Sequence, residues 1–260
     1  ETTDATPLPL IAVPSTSGTG SEATHFAAIY VNGVKRSVAH PDLRPRAVVL
    51  DERLHRAMPP AVAATSGLDA LAQAMESRWA VRATTASSAD ADAAGALIAS
   101  AIESSVRDAN ETSRRRMMLA AHLAGRAINV STTTAAHALS YGLTQGFGLA
   151  HGHAAALTVG QFAARLGRVT DDRVLDERGA AHVREAARVA AAWLDTEPDG
   201  LPARLRSLLR AVGLAPTLEA AGVPRHALEE LASGVDPVRL GNHPERLEHS
   251  DLLAVLDASW

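Results

Sequence analysis

Apolar residues change their rhythm once along this chain. Up to Asp51 they come in short runs, at 8–14 (Leu-Pro-Leu-Ile-Ala-Val-Pro), 26–31 (Phe-Ala-Ala-Ile-Tyr-Val) and 46–51 (Arg-Ala-Val-Val-Leu-Asp). Runs of this length bordered by proline and glycine predict strands, the first of them buried and opening into a loop. Asn32-Gly33 predicts a turn. Beyond Asp51 the strand signal stops. Pro59-Pro60 suits the first turn of a helix, and Leu68, Leu71, Met75 and Trp79 recur at steps of three and four, which predicts a helix over 59–80. The same periodicity predicts helices over 87–106, 113–129, 133–146, 152–166, 179–194, 201–212, 226–233 and 250–258, with breaks at Gly148, Gly167, Pro198-Asp199-Gly200 and Pro244. The expected fold class is mainly α, an all-helical body over 53–260 behind a short β-containing segment, 1–52. So few strands cannot make an independent sheet, so something upstream of 1–52 is expected to be missing from this chain.

Composition narrows the function classes. With 260 residues, 47% apolar and 21% charged, the chain is an ordinary core-forming one. A formal charge of −4 offers no basic stripe to a nucleic-acid backbone, and no run approaches the ~18 apolar residues of a membrane span. Neither nucleic acid nor membrane is expected as a partner. No signal-peptide pattern follows Glu1, so the default location is the cytoplasm. The absence of cysteine excludes disulfides, iron–sulfur clusters and thiolate zinc sites, leaving His, carboxylate and amide oxygen as metal donors. With only 3 Trp, 2 Tyr and 3 Phe, the core must be Ala, Leu and Val, which suits closely packed helices. Of 25 basic residues all but Lys35 are arginine.

Three segments carry residues that could do chemistry. The loop Pro14-Ser-Thr-Ser-Gly-Thr-Gly-Ser-Glu22 combines glycine N–H groups with hydroxyls, a cradle for phosphate or ribose. Asp69 and Gln73 stand four apart on one helical face. His137 and Tyr141 do the same on a second helix, and fourteen residues after His137 a glycine-bounded bend presents His151 and His153. Singly, these are a surface turn, a solvated helix acid and surface imidazoles. Jointly, Asp69, His137 and His151 make an oxygen–nitrogen set suited to Zn²⁺ or Fe²⁺.

These segments together resemble the iron-containing (group III) alcohol dehydrogenase family. The loop at 14–22 is similar to that family's P-T-T-x-G-T-G-S-E, S-G-L-D-A-L-A-Q-A-M-E-S at 66–77 to its D-A-L-x-H-A-x-E, and T-A-A-H-A-L-S-Y with F-G-L-A-H-G-H-A at 134–154 to its two-histidine signature. The resemblance implies a nucleotide-binding α/β domain and a helical domain facing each other across a metal cleft. Residues 53–260 would be the helical metal and substrate domain, like that of dehydroquinate synthase, and 1–52 the incomplete end of the nucleotide-binding α/β domain. It implies NAD(P)H and a divalent metal, Fe²⁺ first with Zn²⁺ or Mn²⁺ as alternatives. Metal ligands would be Asp69, Gln73, His137 and His151; Ser15, Thr16 and Thr19 would line the dinucleotide, and Lys35, a compact ammonium, would reach its ribose. Tyr141 and His153 take the catalytic positions. Three departures accompany the match: Gln73 replaces a usual ligand His, Tyr141 replaces a frequent second His, and the glycine-rich pyrophosphate turn is absent. Gln73 combined with H-A-L-S-Y and H-G-H-A is most similar to the branch that reduces phosphonoacetaldehyde. For a dianionic substrate, His153, Arg78 and the N-terminus of the 152–166 helix are the donors at hand. The implied partner is a small aldehyde or alcohol, and a homodimer stays open. Competing readings are another small-alcohol dehydrogenase, a dehydroquinate-synthase-like lyase and a non-catalytic helical remnant.

Overall fold

Four short strands precede ten helices in the computed structural model, which describes residues 8–31 and 34–260, the side chains of 28 and 30–37 excepted. The strands are β1 (Ile11–Ala12), β2 (Phe26–Val31), β3 (Val34–Ala39) and β4 (Ala47–Val48). The helices are α1 (Pro60–Trp79), α2 (Thr85–Arg107), α3 (Glu111–Ser131), α4 (Ala135–Phe147), α5 (His151–Leu166), α6 (Ala180–Ala192), α7 (Leu201–Ala211), α8 (Leu228–Ser233), α9 (Pro237–Leu240) and α10 (His249–Ser259). The mainly helical class expected from the periodicity is what the structure shows, and among the described residues no helix is long and apolar enough to cross a membrane.

Local chemistry sets several of the helix boundaries. Thr84 and Ser87 form a reciprocal capping box at the start of α2, and the Asn110 side chain accepts from the Ser113 N–H at the start of α3. Gly148, in the left-handed region at φ 67°, stops α4. α9 escapes the periodicity because four residues are too few to show one; Asp236 caps it by accepting from the Val238 N–H.

The strand segment departs from expectation in two ways. Its first run is not buried: Leu8, Leu10, Ile11 and Val13 are exposed, and only Ile11 and Ala12 form a strand, paired in parallel with β4. A parallel pair is buried only when elements cover both its faces, and the described residues supply no such cover. The second difference is β3, which pairs antiparallel with β2 from Phe26↔Ala39 to Val31↔Val34. Its sequence Val-Lys-Arg-Ser-Val-Ala is too polar to stand out as an apolar run, and pairing with β2 is what makes it a strand. The predicted Asn32-Gly33 turn lies outside the described residues.

α1 is the axis of the helical body. It is buried along most of its length and packs against α2, α3 and α5. Ala63, Ala64, Ala70, Ala72 and Ala74 on this helix are all at most 3% exposed, so neighbouring backbones come close without a bulky layer between them. Leu68, Leu71, Met75 and Trp79 fill the remaining space and extend into the core with Ile98, Ile102, Leu139, Phe162 and Leu166. Full burial of each such aliphatic side chain is worth about 1.5–3 kcal/mol. Near the C-terminus Asn242 donates to the carbonyls of Ser131 and Thr133 at 2.7 and 3.0 Å, and to Thr132 Oγ1 at 2.9 Å. This clamp holds the α3–α4 connection that leads into His137.

Beside that clamp His243 is completely buried, edge-on to Phe162, with no hydrogen bond to either ring nitrogen. Burial is the chief cause of a pKa lowered to about 3, with the Arg165 charge acting in the same direction against Glu76. The unfolded imidazole titrates near 6.5. The folded state therefore binds fewer protons between these values, so stability is greatest above pH 6.5 and declines as the pH falls toward 3. Between pH 7 and 5 this one group is expected to remove about 2 kcal/mol. Urea unfolding of wild type and His243→Leu at both pH values checks this; parallel losses in the two proteins would refute it.

Candidate metal centre

Residues 69, 73 and 76 fall on one face of α1 at steps of four and three, so that Asp69, Gln73 and Glu76 all point the same way. All three are buried, Glu76 completely. α4 brings His137 to this face, with Nε2 3.4 Å from Asp69 Oδ1, and the start of α5 brings His151, whose ring centre lies 5.2 Å from that of His137. One ligand atom from each of Asp69, His137 and His151 lies within 4.8 Å of the others.

The approach of α5 depends on Gly152. A Cβ there would stand 2.1 Å from the Thr65 carbonyl oxygen and 2.6 Å from Asp69 Cβ. The absence of a side chain at this one position lets the His151 end of α5 rest directly on the Asp69 turn of α1.

Hydrogen bonds orient both imidazoles. Glu76 Oε1 accepts from the backbone N–H of Thr134 at 3.1 Å and of Ala136 at 2.9 Å, and from Thr134 Oγ1 at 2.6 Å. It thereby caps α4 from another helix, where Thr134 makes no cap of its own. Glu76 Oε2 bonds His137 Nδ1, so Nε2 is the nitrogen that faces Asp69. Burial disfavours charge on this ring, but Glu76 and Asp69 outweigh it and raise the His137 pKa to about 10. Glu76 is likewise held below the usual carboxylate range by His137 and its donors, against the effect of burial. Ser140 orients the second ring. Its hydroxyl donates to the His137 carbonyl at 2.7 Å, and its single proton is thus used. It must therefore accept from His151 Nδ1 at 3.1 Å, which places the lone pair of that ring on Nε2.

The donor atoms fit a bound cation. Asp69 Oδ1 and His137 Nε2 are buried without a hydrogen bond and face each other only as an ion pair at 3.4 Å, and Gln73 Oε1 is buried without a hydrogen bond, which for the amide oxygen costs about 1–3 kcal/mol unless something else satisfies it. The Gln73 Nε2 donates to Asp69 Oδ2 at 3.0 Å, leaving the amide oxygen as the unsatisfied atom. A carboxylate, two imidazoles and an amide oxygen suit Fe²⁺, Zn²⁺ or Mn²⁺.

The other sequence-predicted residues lie elsewhere or nearby. Tyr141 stands beside the centre, its ring 5.5 Å from that of His151, and the Arg239 guanidinium lies over the Tyr141 ring at 4.3 Å. His153 is buried with Nε2 2.8 Å from the Ala215 carbonyl, and burial lowers its pKa. Arg78 pairs with Asp92 on α2 at 3.1 Å. Ser15, Thr16 and Thr19 are exposed on a loop that is anchored through its other members. Ser17 bonds His55 Nδ1 at 2.9 Å, Glu22 bonds His122 Nδ1 at 3.2 Å, and Gly20, at φ 59°, sits so near Gly125 on α3 that a Cβ would lie 2.5 Å from its Cα. The Lys35 side chain falls outside the described residues. One residue of the centre carried no assigned role in the sequence reading: Glu76, which the i, i+4, i+7 spacing from Asp69 could have flagged.

The described residues thus form a mainly helical body with a candidate metal centre at Asp69, His137 and His151. Residues 63–260 match the family model described as Fe-containing alcohol dehydrogenase family, C-terminal, and residues 1–52 match the model of iron-containing alcohol dehydrogenase. The chain belongs to the iron-containing alcohol dehydrogenase family. It is 36% identical over 246 residues to phosphonoacetaldehyde reductase of Streptomyces viridochromogenes, covering 94% of this chain and 62% of that protein. To sulfoacetaldehyde reductase of Bilophila wadsworthia it is 30% identical over 267 residues, covering 97% of this chain and 66% of the relative. Among solved structures, the sulfoacetaldehyde reductase of Bifidobacterium kashiwanohense in complex with NAD+ matches with a TM-score of 0.83 at 26% identity, over 97% of this chain and 65% of that one. The chain thus spans less than two thirds of the length of these relatives.

Proposed function

We propose that this chain is the metal- and substrate-binding part of a nicotinamide-dependent aldehyde reductase, and that its substrate is phosphonoacetaldehyde, reduced to 2-hydroxyethylphosphonate. The observation that carries the reading is the convergence of Asp69, His137 and His151 beside the buried Gln73 amide oxygen, which has no hydrogen bond. The similarity to two reductases of small aldehydes bearing an anionic group supports the substrate class.

Asp69, His137, His151 and the Gln73 amide oxygen would hold the divalent ion, Fe²⁺ in the first instance. When bound, the ion supplies Lewis-acid polarisation of the aldehyde carbonyl. The chain's own residues prepare that event. Glu76 and Ser140 hold the two imidazoles with Nε2 toward the centre, and the core helices exclude water from its back. Reduction consumes a hydride from NAD(P)H and a proton, and the Tyr141 phenol, packed against His151, is placed to bring that proton to the alcohol oxygen. The exposed hydroxyls of Ser15, Thr16 and Thr19 on the anchored loop would serve the dinucleotide, and Lys35, on β3, its ribose.

The full-length protein supplied with Fe²⁺, Zn²⁺ or Mn²⁺ is expected to oxidise NADH or NADPH only when phosphonoacetaldehyde is added. No aldehyde-dependent oxidation with any of the three metals would sink the reading. Equal turnover of uncharged aldehydes would leave a general alcohol dehydrogenase. Because imidazole is the stronger donor to these metals, Gln73→His should tighten metal binding about tenfold or more. Unchanged affinity by metal titration would remove Gln73 from the ligand set.

A further inference from the structure

We propose that α1 and α3 hold the 14–22 loop as a rigid seat for the dinucleotide, with Gly125 as the receiving position on α3, and that this seat fixes where the nicotinamide lies relative to the metal centre. The inference rests on the aldehyde-reductase reading, in which the exposed hydroxyls of this loop serve the dinucleotide. It gives a positioning role to α3, which supplies none of the residues of the centre.

The loop has two sides. Ser15, Thr16, Thr19 and Ser21 are exposed, whereas Ser17, Gly18, Gly20 and Glu22 are buried. The outward side therefore presents only hydroxyls. The inward side meets two helices at backbone distance. A Cβ on Gly18 would stand 2.9 Å from Ser66 Cβ and 3.0 Å from Ser66 Cα on α1. A Cβ on Gly20 would stand 2.6 Å from the Ala121 carbonyl oxygen and 2.8 Å from the Gly125 nitrogen on α3. Conversely, a Cβ on Gly125 would stand 2.7 Å from Gly20 Cα and overlap the Gly20 carbonyl oxygen. None of these atoms is the free end of a side chain.

Polar contacts fix the same seat. His122, Gly125 and Asn129 stand at i, i+3 and i+7 on one face of α3. His122 Nδ1 meets the buried Glu22 carboxylate at 3.2 Å, and Asn129 Oδ1 accepts from the His25 backbone N–H at 2.8 Å. A loop rich in glycine loses much conformational freedom when a ligand orders it, which costs affinity. Here the fold does the ordering. Ser66, on which Gly18 rests, is three residues before Asp69, so the two share one face of α1. Loop and metal-centre carboxylate thus rest on the same stretch of helix, and the outward hydroxyls stand at a fixed place relative to Asp69. Hydride transfer needs such a fixed geometry, because a misplacement of about 1 Å can cost about 100-fold in rate.

Gly125 is the diagnostic position. Inside a helix alanine is favoured over glycine, so propensity alone would make Gly125→Ala harmless to α3. Its expected harm is to lift the loop.

The test compares full-length wild type with Gly125→Ala and with Gly146→Ala, a helical glycine whose added Cβ meets nothing within 4 Å. Titrations with NADH and NADPH, metal titration and amide hydrogen exchange are read on all three, with kinetics using dinucleotide deuterated at the transferable hydrogen. Gly125→Ala is expected to weaken dinucleotide binding about tenfold or more, to speed exchange at 15–21 and to enlarge the primary isotope effect, with metal affinity unchanged. Gly146→Ala should match wild type. Wild-type dinucleotide affinity and isotope effect in Gly125→Ala would overturn the assignment. Should that variant fail to fold, Asn129→Leu and His122→Phe, which each remove one polar contact, decide by the same titrations: weaker dinucleotide binding supports the seat, and wild-type binding overturns it. Wild type that binds neither NADH nor NADPH would sink the reductase reading, whereas dinucleotide binding indifferent to Gly125→Ala would sink this assignment alone.

Discussion

Glu76→Ala is expected to destabilise the chain by about 3–5 kcal/mol and to weaken divalent-metal binding about 10- to 100-fold. One carboxylate performs three tasks at once. It accepts the N–H groups of Thr134 and Ala136 that begin α4, it accepts the Thr134 hydroxyl, and it bonds His137 Nδ1. All of this happens with no exposure to solvent, so alanine leaves several donors buried without an acceptor. The His137 ring would then turn without restraint, and Nε2 would no longer be directed at Asp69. Glu76→Gln separates the parts: the amide oxygen can still accept from the α4 N–H groups, while its charge and the second acceptor are lost. Its stability loss should be the smaller and its metal loss comparable. Urea unfolding with metal titration on the three proteins decides; wild-type metal affinity in Glu76→Ala would exclude a role for this residue in orienting His137.

Gly152→Ala should have the next largest effect, with metal binding reduced about tenfold or more and about 1–3 kcal/mol of stability lost. The added methyl would collide with the backbone of Thr65 and with Asp69 Cβ and backbone nitrogen, none of which is the movable end of a side chain. The start of α5 must then lift from α1 and withdraw His151 from Asp69. Gly146→Ala is the matched control. It also lies in a helix, but nothing stands within 4 Å of where its Cβ would be, so the substitution should be neutral or stabilising by about 0.5–1 kcal/mol. Equal metal affinity in both variants would show that contact between α1 and α5 does not build the centre.

The helical body was legible from the sequence because amphipathic periodicity is a property of neighbours three and four residues apart, and the Leu68-Leu71-Met75-Trp79 series states it directly. Asp69, His137 and His151 were legible for a different reason: their residue types and motif spacing suggested one site although 68 and 82 positions of chain separate the outer ones from Asp69. Sequence by itself could not say how they meet. Burial of the first apolar run depended on cover that the described residues do not provide, and β3 became a strand only by pairing with β2. Glu76 looked like any helix acid until α4 arrived, 61 residues on, with its unsatisfied N–H groups and the His137 ring. Periodicity and capping act through neighbours along the chain, so they can be read from the order of residues. Acceptors, close approaches and cavities act between elements brought together by packing, and only the folded chain decides which groups those are.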